Sequence, residues 1–256
     1  MRCPVPFVAT IHDMILHAYP NNASFIKRIA YRSVFHHTIR NAERLCVVSD
    51  AVRDELLSAY GSPLSSRLFV THEGVDSTFH RRSELEQRVV LQKFGIDKPF
   101  FLYIGNAKEH KNVGDLLNAW KQFDSSSMRL VLVTGGKEAN RLVLPEGVIR
   151  VLHIADGDLP ALYSAAIAYV SASRYEGFGL PFAEAISCGC PVIAYDLPIV
   201  REVTRGKGVV TAHTHHALAD AMRRPPSRIH PECLWRWEDA AEKTAEVLAE
   251  TLTLIR

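Results

Sequence analysis

The chain has 256 residues, a formal net charge of +2 with its histidines neutral, and 47% hydrophobic against 23% charged residues. That length allows one large core or two modest ones, and the balance is that of an ordinary soluble globular protein. The small net charge removes any global pull toward nucleic acid, so a basic surface has to be local. Cys3, Cys46, Cys188, Cys190 and Cys233 are scattered, and the Cys-Gly-Cys has no second pair with which to hold zinc. Reduced thiols of a cytoplasmic protein are the simpler reading. No signal-peptide pattern opens the chain, and no apolar run is long enough to span a bilayer.

Strand and helix alternate almost throughout. PFVATI (6–11) predicts a short buried strand, and 24–40 a helix. RLCVVS (44–49) predicts a second strand that runs into a helix, with Ser49 as N-cap and Gly61 as its stop. RLFVTH (67–72) predicts a third strand, and the polar stretch 73–88 reads as a linker. Beyond it the pattern predicts a strand at 99–105, a helix at 112–123, and strands at 128–136 and 148–155. A helix at 158–166, a strand at 166–173, a helix at 180–189 and a strand at 191–196 follow. Helical patterns at 214–223 and 235–254 close the chain. Continuous apolar strands between helices imply a parallel sheet covered on both faces, the doubly wound α/β architecture. The part before the linker holds about half the elements of such a domain and reads as truncated.

Ligands of open parallel sheets bind outside the carboxyl ends of the strands. Here those ends carry GNAKEHKN (105–112), TGGKE (134–138), IADGD (154–158), SRYEGFGLP (173–181) and YDLPIV (195–200). Glycine lets backbone N–H groups approach an oxyanion, and a helix N-terminus adds a favourable dipole. EGFGLP fits this: Gly177, Gly179 and the first amides of the helix can hold a phosphate, and Pro181 suits the first helical turn. Lys111 at the start of another helix can add a point charge to a diphosphate. For each loop alone, an ordinary βα turn is the plainer alternative. Glu176 and Glu184 flank the EGFGLP turn on different faces, which suits two parts of one extended ligand rich in paired hydroxyls. A helix-dipole partner and a solvated loop charge are their ordinary alternatives.

EGFGLPFAEAISCGCPVI resembles the E-x7-E motif of the retaining GT-B glycosyltransferases, in particular the large family 4 of nucleotide-sugar enzymes. FFLYIGNAKEHKNVGDLLNAW is similar to that family's strand, phosphate loop and helix, and DLPALYSAAIAYVSASRYEGFGLP to the segment preceding the motif. VVSDAVRDELLSAYG and HEGVDSTF resemble its inter-domain region, TIHDMILHAYP its acceptor-side loop, and WRWEDAAEKTAEVL its closing helix. The likeness runs from about residue 8 to the end. It implies an α/β GT-B fold of two Rossmann-like doubly wound domains, the N-terminal one truncated. The boundaries expected are a partial acceptor-side domain over 1–80, a donor-binding domain over 81–234, and a C-terminal helix over 235–256 packing back on the N-terminal part.

The resemblance also implies roles. Glu184 hydrogen-bonds the ribose, and Glu176 contacts hydroxyls of the donor sugar. The backbone around Phe178 and Gly179 meets the same sugar and the phosphates, with Gly177 and Leu180 in the same donor-binding turn. Lys111 binds the diphosphate and stabilises the leaving group, Gly105, Asn106 and Lys108 line the phosphate loop, and His12 lies near the donor sugar. No metal or other cofactor is expected, the donor being a nucleotide diphosphate sugar.

The implied activity is transfer of a hexosyl group to a glycan or lipid-linked acceptor with retention, in bacterial polysaccharide biosynthesis. HKN favours a mannosyl donor. Asn106 stands where many members carry arginine, with Lys108 able to supply the charge, and Glu73 replaces an asparagine. The family's first strand and glycine-rich loop have no counterpart here. That favours an alternative, a non-catalytic or partner-dependent nucleotide-sugar binding module; an epimerase of the same fold is a third reading.

Lys27, Arg28, Arg32 and Arg40 share a predicted helix with Phe25, Ile26, Ile29 and Val34, with no acidic residue between Asp13 and Glu43. Such a helix can dock on an anionic membrane surface, so the expected location is cytoplasmic, peripheral at the inner membrane surface. The plainer alternative is the solvated face of a packed helix. The open edge of a shortened sheet invites self-association or a complementing chain. His213, His215 and His216 have metal-like composition but read as an exposed cluster.

Overall fold

Short β-branched runs separated by amphipathic helices pair in parallel, because each crossover helix returns the chain to the same end of the sheet. In this computed structural model, which describes residues 5–123, 127–211 and 213–254, they form two all-parallel sheets. Contacts divide the chain into two units: one holds residues up to 74, 176–178 and those from 235 on, the other 75–175 and 179–234.

In the first unit, β1 (Val8–Ile11), β2 (Arg44–Val47) and β3 (Leu68–Val70) lie in the order 1-2-3. Val8 stands opposite Arg44, and Leu45 opposite Leu68. The helices are α1 (Ile15–Ala18), α2 (Phe25–Asn41) and α3 (Asp50–Tyr60). Leu45, Cys46 and Val47 of the central strand are fully buried. α3 starts and stops as its sequence dictates: the Ser49 side chain accepts from Val52 N, and Gly61 ends it at φ 87°.

The first helix of the second unit is α4 (Glu84–Lys93), whose first half lies in the stretch expected as linker. A capping box causes it: Ser83 N donates to Glu86 Oε2 at 2.8 Å while Ser83 Oγ accepts from Glu86 N. Then follow β4 (Phe100–Ile104), α5 (Val113–Gln122), β5 (Arg129–Val133), β6 (Val148–Val151), α6 (Leu159–Ala165) and β7 (Tyr169–Ser171). The unit continues with α7 (Leu180–Ser187), β8 (Val192–Tyr195), α8 (Pro198–Thr204), β9 (Gly208–Thr211) and α9 (His215–Arg223). α8 and β9 were not foreseen. The sheet order is β6-β5-β4-β7-β8-β9. Phe101, Leu130, Leu132 and Trp120 sit in its core, and Trp120 Nε1 donates to the Glu146 carbonyl at 2.9 Å.

The closing helix α10 (Trp237–Leu254) belongs to the first unit and packs against β2. The apolar residues of α2 divide between two sides. Phe35 and Ile39 face inward, whereas Phe25, Ile26, Ile29 and Val34 are 69%, 79%, 55% and 64% exposed. Phe35 packs against His17 of α1 and Tyr60 of α3, whereas the four exposed residues remain on the surface.

Candidate functional site

In the second sheet the order reverses between β4 and β7, and a parallel sheet opens a crevice at the carboxyl ends of two such strands. β4 delivers the segment 105–112 there, and β7 the segment 172–175. The first segment is tied down locally. Tyr103 OH donates to the Asn106 carbonyl at 2.7 Å, and Asn106 Oδ1 accepts from Lys108 N at 3.1 Å. Lys111 sits in a tight turn, Glu109–Lys111, rather than in α5 itself. Asn112, left-handed at φ 50°, separates the two. Gly105 and Lys111 are half-buried, Asn106 and Lys108 exposed. His110 is buried, and burial, helped by the charges of Lys111 and Lys108, pushes its pKa down to about 4. A neutral imidazole therefore leaves the positive charge of this turn to the lysines.

The two segments are joined. The Arg174 backbone N–H donates to the His110 carbonyl at 2.8 Å. Asp115 Oδ2, in the first turn of α5, accepts from Asn112 Nδ2 at 2.7 Å, Arg174 Nη2 at 3.0 Å and Tyr195 OH at 3.0 Å. Burial raises the Asp115 pKa, but the bonds from Asn112, Tyr195 and Arg174 outweigh it and hold the carboxyl below its usual range. One carboxylate thus ties two loops and the end of β8 together at the crevice rim.

α7 opens on Gly179, left-handed at φ 82°, with Pro181 in its first turn. Phe182 and Ile186 anchor it in the core, which leaves Glu184 half-buried on another face. Glu184 Oε2 accepts from Tyr163 OH at 2.8 Å. Burial raises its pKa to about 6; the Tyr163 bond opposes that rise, and the Asp156 charge adds to it.

In the first unit the other half of the EGFGLP turn meets the end of β1. A Cβ on Gly177 would lie 2.0 Å from the His12 carbonyl oxygen, so only glycine fits. Ser49 Oγ donates to the Gly177 carbonyl at 2.7 Å. Phe178 is buried and meets the His72 and Trp235 rings edge-on at 6.3 Å and 5.6 Å. Glu176 is half-buried in the same turn. The exposed His12 ring reaches Glu73 through Nδ1 at 2.8 Å.

Of the residues singled out in the sequence, Gly105, Asn106, Lys108, Lys111, Gly179, Leu180 and Glu184 thus share the second unit, and His12, Glu176, Gly177 and Phe178 the first. Sequence reasoning missed Asp115, Tyr163, Ser49's bond to Gly177 and the Glu73 contact, since no spacing rule pairs residues so far apart. His213, His215 and His216 belong to no group of potential ligand atoms close enough to share an ion, among the described residues. Cys188 and Cys190 are buried, and burial pushes the Cys190 thiol up to about 12. Cys3 lies outside the described residues.

Comparison with known proteins agrees in both units. The family described as glycosyl transferases group 1 matches residues 86–225, and that described as glycosyltransferase family 4 matches residues 1–79. The chain is 33% identical over 215 residues to O-antigen chain mannosyltransferase B of Escherichia coli, covering 79% of this chain and 56% of that protein. It is 29% identical to O-antigen chain mannosyltransferase RfbU of Salmonella typhimurium, over 76% of this chain and 53% of that one. It therefore spans about half the length of these relatives. Among solved structures, sucrose-phosphate synthase from Thermosynechococcus elongatus superposes with a TM-score of 0.77 at 22% identity, covering 96% of this chain and 68% of that one. Anabaena HepE in complex with UDP and glucose superposes at 0.72 and 20% identity, covering 97% and 71%. The fold shared with these structures is GT-B, of Rossmann-like units.

Proposed function

The chain belongs to the glycosyl transferases group 1 family, and on that premise we propose that it moves a hexosyl group from a nucleotide diphosphate sugar to a glycan or lipid-linked acceptor, with retention and without a metal. The observation that carries this reading is the pairing of two loops at one strand-order reversal, one bearing Lys111 and the other leading into the Glu176–Glu184 turn, locked together through Asp115. Glu184 accepts from the ribose hydroxyls, and Glu176 and His12 hold the sugar. Lys111 and the first amides of α7 meet the diphosphate, whose charge grows as the C1–O bond breaks. The acceptor oxygen attacks C1 on the face the diphosphate leaves, and its proton passes to the departing phosphate oxygen. The mannosyltransferase relatives support a mannosyl group as the one transferred, and GDP-mannose is the donor we propose.

Proton NMR during enzyme-catalysed hydrolysis of GDP-mannose tests the stereochemistry, because the donor is α-linked. Early appearance of α-mannose is expected; β-mannose first overturns retention. Tight donor binding with no turnover would support the binding-module alternative.

α2 supports peripheral membrane contact as part of this reading. Phe25, Ile26 and Ile29 are exposed beside Lys27, Arg28, Arg32 and Arg40, a surface whose charge complements anionic lipid and whose apolar groups can enter its interface. No helix among the described residues is long and apolar enough to cross a membrane. Flotation with vesicles containing phosphatidylglycerol should retain the protein, and Ile26→Glu with Ile29→Glu should release it. Equal recovery of wild type and variant excludes this surface.

A further inference from the structure

We infer that Glu73 is a positioning residue that orients His12 toward the donor sugar; this rests on the reading of His12 as a sugar contact. His12 follows β1 and Glu73 follows β3, 61 residues apart, yet His12 Nδ1 and Glu73 Oε1 stand 2.8 Å apart. The neighbouring carboxylate is already engaged: Asp13 Oδ1 accepts from Ile15 N at 3.0 Å. Glu73 is thus the carboxylate placed to fix the imidazole.

The segment that carries Glu73 is held on both sides. His72, immediately before it, adopts φ 52°, a left-handed conformation uncommon for a residue other than glycine. Its ring lies 4.5 Å from that of Trp235 and 6.3 Å from that of Phe178. Gly74, immediately after, has no room for a side chain, since a Cβ there would stand 2.2 Å from Trp237 N. Between these two fixed points the Glu73 side chain is 16% exposed, whereas that of His12 is 68% exposed. The less exposed partner is held by the fold, and the more exposed one takes its orientation from it.

The bond also selects a tautomer. A carboxylate opposite Nδ1 favours the tautomer with its proton on that nitrogen, which leaves Nε2 able to accept. His12 Nε2 can then receive a hydroxyl hydrogen from the hexosyl group beside the Glu176–Phe178 turn, whose Gly177 packs against the His12 backbone. Without Glu73 the exposed ring would rotate freely and populate both tautomers. The loss would fall on the sugar and spare the nucleotide, whose proposed contacts are Glu184 and Lys111.

Calorimetric titrations of the whole chain with GDP and GDP-mannose, and with UDP and UDP-glucose, test this in wild type, Glu73→Ala, Glu73→Gln, His12→Ala and the double variant His12→Ala/Glu73→Ala. Glu73→Ala is expected to weaken the nucleotide sugar about tenfold, about the worth of one ordered hydrogen bond, while the free nucleotide diphosphate stays within about twofold. Glu73→Gln, which keeps volume and an acceptor oxygen, should recover most of that affinity. In the His12→Ala background Glu73→Ala should add nothing. Equal losses for both ligands, an additive loss in the double variant, or no loss overturns the inference. If Glu73→Ala does not fold, a Glu73→Gln variant that weakens free nucleotide as much as nucleotide sugar overturns it too. Failure of the wild type to bind any nucleotide removes the proposed function and this inference with it. Nucleotide binding with normal sugar affinity in Glu73→Ala removes the inference alone.

Discussion

Ser49 Oγ donates to the carbonyl of Gly177, 128 residues away in sequence, at 2.7 Å while accepting from Val52 N at 3.1 Å. One fully buried hydroxyl therefore caps α3 and anchors the glutamate-bearing turn. Ser49→Ala removes the cap and leaves the Gly177 carbonyl without this donor. A loss of about 2 kcal/mol in urea unfolding is expected, near the sum of a typical cap and one hydrogen bond. A change within about 0.5 kcal/mol, the range of ordinary surface substitutions, would show that the bond is not formed in solution.

Gly177→Ala is a steric test of the same contact. The new Cβ would meet the His12 carbonyl oxygen at 2.0 Å and the Asp13 Cβ at 3.1 Å, and backbone cannot step aside as a side chain can. Thermal unfolding should register destabilisation of about 1–3 kcal/mol, the usual scale of overpacking. Nucleotide-sugar binding should fall with it. Unchanged stability would mean that the turn does not approach β1 so closely.

Glu184 gives a pH dependence with a definite sign. Its folded pKa is about 6 against a reference of 4.5, so the folded state holds its proton more tightly than the unfolded one. Stability contributed by this group is full below the reference value and is lost as pH rises through about 6. Replacing it by Gln, which carries no charge to bury, should stabilise the protein by about 1–2 kcal/mol at neutral pH and by nothing at pH 4, at 1.36 kcal/mol per unit. Nucleotide affinity should run the other way, falling below pH 6 as the accepting carboxylate protonates. Tyr163→Phe removes the bond that holds the pKa down, so the fall should begin at higher pH; titration calorimetry at several pH values reads both.

Asp115 joins Asn112, Arg174 and Tyr195, so Asp115→Ala orphans three donors at once. Unfolding free energy should drop by about 2–3 kcal/mol, as hydrogen bonds to a charged group imply. Affinity for the nucleotide diphosphate should drop as the Lys111 turn loosens, and Tyr195→Phe should show a smaller loss of both. A variant that keeps wild-type affinity would uncouple the two loops.

The sequence made the sheets legible because buried parallel strands are apolar throughout and their helices are amphipathic, so VLV and VIA runs were unambiguous. It also placed Ser49, Gly61, Gly179 and Pro181, whose roles depend on neighbours within one turn. α4 was hidden behind charged residues although its S-x-x-E cap was in plain view. Which apolar residues of α2 end up exposed was not legible, because periodicity groups them without saying which side is covered. Contacts such as Asp115 with Tyr195, or Glu73 with His12, depend on strand order, which a single sequence does not state.

The most direct measurement is calorimetric titration of the purified chain with GDP, UDP and their sugars, beside Glu184→Ala. Saturable binding of one nucleotide, weakened about tenfold or more in the variant, is expected if Glu184 accepts from the ribose. Binding of no nucleotide, or equal affinity in wild type and variant, would contradict donor recognition by this turn.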